Sequence, residues 1–166
     1  MIDRERLIDK LFDAYEAIGL GALTYALLDE VAEAQTRLVG QAGLKQADEM
    51  VSMMRAYLDG DATIDACFDL SATMQEKVAR VIPGSNQEQA LLFYQSAVAN
   101  LPEGATCIDA NYFTLESLAG FWRYWERLTE IEATDRLLTN LQATLTVRPW
   151  DKLGPLLRER VSLLAH

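Results

Sequence analysis

Residues 114–147 read TLESLAGFWRYWERLTEIEATDRLLTNLQATLTV, a stretch with no proline and a single glycine, Gly120. Its apolar residues recur every three or four positions, which is the spacing of one face of an α-helix. An unbroken helix of this length would be about 50 Å long, enough to cross a small domain. Thr134 or Asp135 could cap a second helix, so any break is expected near residue 134. We expect the core to form around four large side chains: Phe121, Trp122, Trp125 and Leu128.

The remaining sequence shows the same helical period, and glycine and proline separate its segments. A capping-box pattern, Ser85-x-x-Glu88, marks the start of one segment, and Gly19-Leu20-Gly21 is expected to form a turn or kink. The predicted helices span residues 2–18, 22–39, 44–58, 62–82 (as one helix or two short ones) and 87–101, with a last helix after Pro149. Residues 105–113 lack the period and are expected to form an extended loop.

The first predicted helix illustrates how a core face is read from such a pattern. Its apolar stripe contains six residues that are expected to face inward: Leu7, Ile8, Leu11, Phe12, Tyr15 and Ile18. No pair of strands with turn residues between them is found anywhere in the chain. The sequence therefore predicts an all-α fold, a single compact domain over residues 1–166, with about six to eight helices around the long central one.

Composition limits the classes of function. The 166 residues carry a formal net charge of −10, whereas nucleic acids and anionic membranes are bound by clustered Lys and Arg. The one histidine is His166, at the end of the sequence, so Ser-His-Asp catalysis, Cys-His catalysis and histidine metal ligation are not expected. Cys67 and Cys107 have no C-x-x-C spacing and are predicted to be free thiols of a cytoplasmic protein. We expect no nucleic acid, membrane or cofactor among its ligands.

Charge is unevenly distributed along the sequence. Residues 1–70 carry 14 acids and 6 bases, whereas residues 71–166 carry 11 acids and 9 bases. Four aspartates, with no base between Arg55 and Lys77, are the predicted partner-binding residues: Asp59, Asp61, Asp65 and Asp69. Asp59-Gly60-Asp61 is expected to be a turn, with Asp61 capping the next helix. A negative field of this kind speeds encounter with a basic protein.

A second group of carboxylates indicates an alternative function. Two neighbouring helices carry five candidate Mg²⁺ ligands: Asp29, Glu30, Glu33, Asp48 and Glu49. Facing carboxylates can hold Mg²⁺ together with substrate phosphates. Asp29-Glu30-x-x-Glu33 resembles the E-E-x-x-E half of the metal site in all-α nucleoside triphosphate pyrophosphatases of the MazG and dimeric dUTPase type. The E-x-x-D half is matched only as Lys45-x-x-Asp48 or Glu49-x-x-Ser52, each lacking one carboxylate.

Three hypotheses follow from these patterns. The first is a non-enzymatic acidic protein that binds a basic protein; bacterial immunity proteins and regulatory adaptors both have this physical profile. The second, implied by the resemblance, is a Mg²⁺-dependent nucleotide pyrophosphatase, the one hypothesis that involves catalysis. The third is a homo-oligomeric scaffold. Charge and the shortage of catalytic side chains favour the first.

Overall fold

The structure, a computed structural model, describes residues 3–147, and within them it contains seven helices and no strand. The helices are α1 (Arg4–Thr36), α2 (Lys45–Leu58), α3 (Asp65–Arg80), α4 (Asn86–Ala99), α5 (Leu101–Gly104), α6 (Ile108–Trp125) and α7 (Glu130–Val147). The predicted all-α class and the expected number of helices are confirmed. The last predicted helix, after Pro149, lies outside the described residues.

The stretch 114–147 forms two helices, and the break lies at residues 126–129 rather than near 134. Arg127 adopts a positive φ of 57°, and the next backbone N–H, of Leu128, donates to the Arg123 carbonyl at 2.8 Å. This is the left-handed ending of an α-helix, usually occupied by glycine. A capping box then starts α7: Glu132 N–H donates to Thr129 Oγ1, and Thr129 N–H donates to the Glu132 carboxylate.

α6 begins earlier than expected, so the prediction of an extended loop over residues 105–113 is wrong. Only residues 105–107 separate α5 from α6, which starts at Ile108. Asn111 stabilises this tight connection, because its buried side-chain amide donates to the Gly104 carbonyl at 2.9 Å. Thr24 Oγ1 of α1 donates to the same carbonyl at 3.2 Å. These contacts anchor the α5–α6 connection on the core.

α1 consists of two halves, residues 4–18 and 20–36, that fold back on each other at Gly19. Gly19 has φ 82° and ψ 169°, values outside the helical region that glycine adopts readily. Lys10 Nζ donates to Gln142, and Thr144 Oγ1 donates to Glu30. In a straight helix Lys10 and Glu30 would be about 30 Å apart, yet their partners on α7 are two residues apart. The expected kink is therefore confirmed.

The fold-back at Gly19 is relevant to whether α1 could cross a membrane. By length and composition alone, α1 is apolar enough to cross a membrane, a test that the core helix of a soluble protein also passes. A membrane-spanning helix needs about 20 consecutive residues. Each half of α1 is shorter than that, and many of its apolar side chains, Leu23, Leu27 and Leu28 among them, are buried in the core.

α6 is the central helix and packs against α1, α4, α5 and α7. Phe121 and Trp122 are completely buried, as expected, whereas Trp125 and Leu128 are only partly buried. Phe121 contacts Trp122 edge-on, with 4.9 Å between the ring centroids, and stacks on Trp125 at 5.8 Å. The core therefore centres on the last two turns of α6.

α6 packs closely against α4 at Gly120. A Cβ atom placed on Gly120 would lie 2.6 Å from the Phe93 ring, well inside van der Waals contact. Phe93 is held in place because it stacks on Tyr124, with 5.7 Å between centroids and 10° between ring planes. Packing therefore requires a glycine at position 120, the single glycine of residues 114–147. The helix α6 continues unbroken through this glycine.

Candidate functional site

The α2–α3 corner carries the four aspartates that the sequence assigns to partner binding, and all four are exposed: Asp59, Asp61, Asp65 and Asp69. The chain turns at Gly60, with φ 84°. The backbone N–H of Asp61 donates to the Ala56 carbonyl at 2.8 Å, which satisfies one of the last carbonyls of α2. The turn predicted at Asp59-Gly60-Asp61 is confirmed.

Asp61 does not cap α3, so this part of the prediction is wrong. α3 begins at Asp65, and Ile64 occupies the N-cap position without a side-chain hydrogen bond. Only Asp65 and Asp69 lie on the helix, one turn apart. Their repulsion is partly offset, because negative side chains are stabilised near a helix N-terminus.

The fold adds two exposed acids that sequence reasoning missed, Glu103 on α5 and Asp109 on α6. Ser71 of α3 donates to the carbonyl of Ala99, the last residue of α4. The start of α3 therefore lies at the same end of the helix bundle as the end of α4, α5 and the start of α6. We call the six residues at this end the acidic end: Asp59, Asp61, Asp65, Asp69, Glu103 and Asp109.

Ion pairs are confined to other parts of the described region. They join Arg4 to Glu116, Arg6 to Asp135, Arg37 to Glu33, Arg80 to Glu76, Arg123 to Glu130 and Arg136 to Glu126. Within residues 3–147, none of the carboxylates of the acidic end takes part in such a pair. Six acids elsewhere in this region pair with arginine, whereas the six carboxylates of the acidic end are exposed and pair with none.

The five predicted Mg²⁺ ligands are not brought together. Glu30 is buried and faces α7, whereas Glu33, Asp48 and Glu49 are exposed. Glu33 pairs with Arg37 at 3.8 Å, and Asp48 accepts a hydrogen bond from Gln35 at 2.6 Å. Over residues 3–147, no three carboxylate, thiol or imidazole side chains are grouped so that they could hold a metal ion. The arrangement gives the pyrophosphatase hypothesis no support.

Glu30 has an unusual environment for a carboxyl group. One oxygen accepts a hydrogen bond from Thr144, and the other, Oε2, is buried without a hydrogen-bond partner. Burial, together with the neighbouring charges of Glu33 and Asp29, raises the pKa of Glu30 to about 7, although the Thr144 hydroxyl opposes this. Near neutral pH this carboxyl is therefore partly protonated.

The two cysteines differ in exposure. Cys67 is buried and Cys107 exposed, and both are free. Burial raises the pKa of the Cys67 thiol to about 11, so it stays protonated at neutral pH and is a poor nucleophile. The prediction that both cysteines are free thiols is confirmed.

No protein-family model, curated protein or solved structure matches the chain. A functional proposal must therefore rest on the residues themselves. In the described region, the acidic end gathers six exposed carboxylates from four segments of the chain, and none of them forms an ion pair there.

Proposed function

We propose that this protein is a non-enzymatic, acidic helical protein whose acidic end binds a basic protein. One observation carries the proposal: the six carboxylates of the acidic end are exposed and form no ion pair within residues 3–147, whereas six of the arginines in this region pair with acids outside that end. Uncompensated like charges destabilise a compact fold through self-repulsion. A basic partner supplies the missing counter-charges.

The physical consequence is fast, salt-sensitive association. A surface of one sign raises the local concentration of an oppositely charged partner and increases its association rate constant. Salt screens these exposed charges over about 8–10 Å at physiological ionic strength. An acidic protein that masks a basic surface would act as an immunity protein or a regulatory adaptor, working by occupancy without chemical turnover.

The proposal is tested by capture from a lysate of cells that express the protein, with three forms of the full chain as bait. The first is wild type, and the second is the triple variant Asp61→Lys/Asp65→Lys/Asp69→Lys. The control is Glu5→Lys/Glu49→Lys/Glu76→Lys, which changes the net charge equally but at exposed acids outside the acidic end. Wild type and control should retain the same basic protein, and the Asp61 triple variant should lose it.

The choice of control follows from the ion pairs of the structure. Glu126 and Glu130 pair with Arg136 and Arg123 across the α6–α7 connection, so reversing them would disturb the fold. Glu5 and Glu49 have no such pair within the described residues, and the Glu76–Arg80 pair is exposed and within one helix. Retention of the same protein by all three forms, or capture of no basic protein, would contradict the proposal.

A further inference from the structure

The first half of α1 exposes half of the apolar stripe that was expected to lie in the core. Leu7 and Leu11 are buried, as expected. Ile8, Phe12 and Tyr15, however, are 38%, 42% and 39% exposed. Their spacing of four and three residues places them in one row along the helix, and two of the three are aromatic.

A row of acids runs beside this apolar row. Each of the three apolar residues is followed directly by a carboxylate, giving Ile8-Asp9, Phe12-Asp13 and Tyr15-Glu16. These acids are exposed, and none of them forms an ion pair within residues 3–147. We call the six residues together the α1 stripe. It combines apolar anchoring groups with uncompensated negative charge on one helix face.

α6 packs against α1, and one ion pair joins it to the first half of α1. Arg4, one turn before Ile8, pairs with Glu116 of α6 at 3.6 Å. Thr24, early in the second half of α1, donates a hydrogen bond to the Gly104 carbonyl, just before α6 begins. Arg37, just after α1 ends, lies over the Trp122 ring near the end of α6. The second half of α1 therefore runs parallel to α6. Because α1 folds back at Gly19, its first half runs antiparallel to α6.

Phe113 therefore lies on the same side of the Arg4–Glu116 pair as Ile8. Its ring is 55% exposed and packs against Tyr112, with 5.8 Å between the ring centroids. An exposed aromatic ring of α6 therefore lies on the Ile8 side of this ion pair.

We propose that the α1 stripe docks a basic amphipathic helix of another protein. Amphipathic helices bind by laying their apolar side on such a surface, with anchors spaced three or four residues apart. The apolar side of the partner helix would cover Ile8, Phe12 and Tyr15, while its Lys and Arg would face Asp9, Asp13 and Glu16. Aromatic side chains are the residues that most often dominate such interfaces. The α1 stripe shares no residue with the acidic end, so the inference does not rest on the function proposed above.

Charge complementarity decides between occupants. A second copy docked on the same stripe would bring two rows of acids together, and like charges in contact oppose association. An anionic lipid surface would be repelled for the same reason. Solubility accounts for the acids but not for the exposed Phe12 and Tyr15. A basic amphipathic helix can cover the apolar row with its apolar side and pair its Lys and Arg with the row of acids.

The test uses a defined probe, a fluorescent Leu/Lys peptide of about 18 residues designed to form an amphipathic helix of five turns. Its control is a scrambled peptide of the same composition, in which leucines do not share a face. Fluorescence anisotropy with the full chain should show the amphipathic peptide binding on the order of tenfold more tightly than the scrambled one. Phe12→Ser/Tyr15→Ser should remove that difference. Ile82→Ser, at a 91% exposed apolar residue of the α3–α4 connection, should preserve it.

A second pair of variants separates binding from folding. Asp13→Asn/Glu16→Gln changes only exposed side chains and should weaken peptide binding several-fold at low salt and little at high salt. Asp61→Lys/Asp65→Lys/Asp69→Lys should leave the preference for the amphipathic peptide unchanged. Equal binding of both peptides to wild type, or an unchanged preference in Phe12→Ser/Tyr15→Ser, would overturn the inference. So would a wild-type dimer in analytical ultracentrifugation that this double variant dissociates.

Discussion

Replacing Glu30 by glutamine should make the protein more stable at neutral pH and remove one source of pH dependence. Glu30 is 2% exposed at the contact between α1 and α7. Its charged form is desolvated there, and its Oε2 atom is buried without a partner. Glutamine has nearly the same shape, keeps an acceptor for the Thr144 hydroxyl and carries no charge. The substitution removes the desolvated charge and, like protonation of the carboxyl group, leaves a buried donor without a partner at the position of Oε2.

The sign and size follow from proton linkage. The pKa of Glu30 rises from 4.5 to about 7 on folding, so between these pH values the folded state binds a proton that the unfolded state does not. The free energy of unfolding then falls as pH rises from about 4.5 to 7. At about 1.4 kcal/mol per pH unit, the loss is about 3 kcal/mol, complete above pH 7.

Urea denaturation, followed by circular dichroism at several pH values from 4.5 to 8, measures this effect. Wild type and Glu30→Gln should have similar stability at pH 4.5, and the variant should be more stable by about 3 kcal/mol at pH 8. Glu49→Gln, at an exposed acid of α2, is the matched control and should follow the wild-type curve. Parallel curves for Glu30→Gln and wild type would refute the assignment of a raised pKa to Glu30.

Three further predictions concern the core and its turns. Trp122→Ala should cost about 3–5 kcal/mol in urea denaturation, because the ring is completely buried; an unchanged midpoint would show that α6 is not central. Gly120→Ala should destabilise by about 1–3 kcal/mol, since the new methyl group overlaps the stacked Phe93 ring; a neutral result would mean that α4 and α6 are farther apart. Arg127→Gly should stabilise by about 1 kcal/mol, because φ is positive there; a loss of stability on thermal unfolding would contradict the left-handed helix ending.

Local chemistry explains which helix boundaries could be predicted. Ser85 caps α4 as expected, with its hydroxyl accepting from the Glu88 N–H at 3.1 Å. The same pattern, Thr129-x-x-Glu132, starts α7. It is not recognisable from the sequence, because the apolar period of residues 114–147 continues across the break. The connection from Glu126 to Thr129 is only four residues long. A periodic pattern alone therefore could not separate one helix from two.

The functional surfaces show a different limit. Periodicity predicts a core position for Ile8, Phe12 and Tyr15, because it identifies an apolar face but not how much of that face neighbouring helices cover. Leu7 and Leu11 are buried, whereas Ile8 and Phe12 on the same stripe are exposed. Likewise, the spacing of Glu30 and Glu33 did not reveal that one faces α7 and the other faces solvent.

The acidic end was partly predictable. Asp59 to Asp69 were identified because no base separates them, and exposed turns commonly carry such residues. Glu103 and Asp109 are remote from them in sequence and join this end only through the antiparallel packing of α3, α4 and α6. The absence of ion pairs there, within the described residues, depends on where the arginines lie in three dimensions.

The most direct test of the central proposal is the association rate constant of the captured basic partner, measured by stopped-flow fluorescence as a function of ionic strength. Wild type and Glu5→Lys/Glu49→Lys/Glu76→Lys should associate rapidly at low salt and slow steeply as salt is added. Asp61→Lys/Asp65→Lys/Asp69→Lys should associate on the order of tenfold or more slowly at low salt, with much weaker salt dependence. A wild-type rate constant that ignores salt, or equal rate constants for all three forms, would contradict binding through the acidic end.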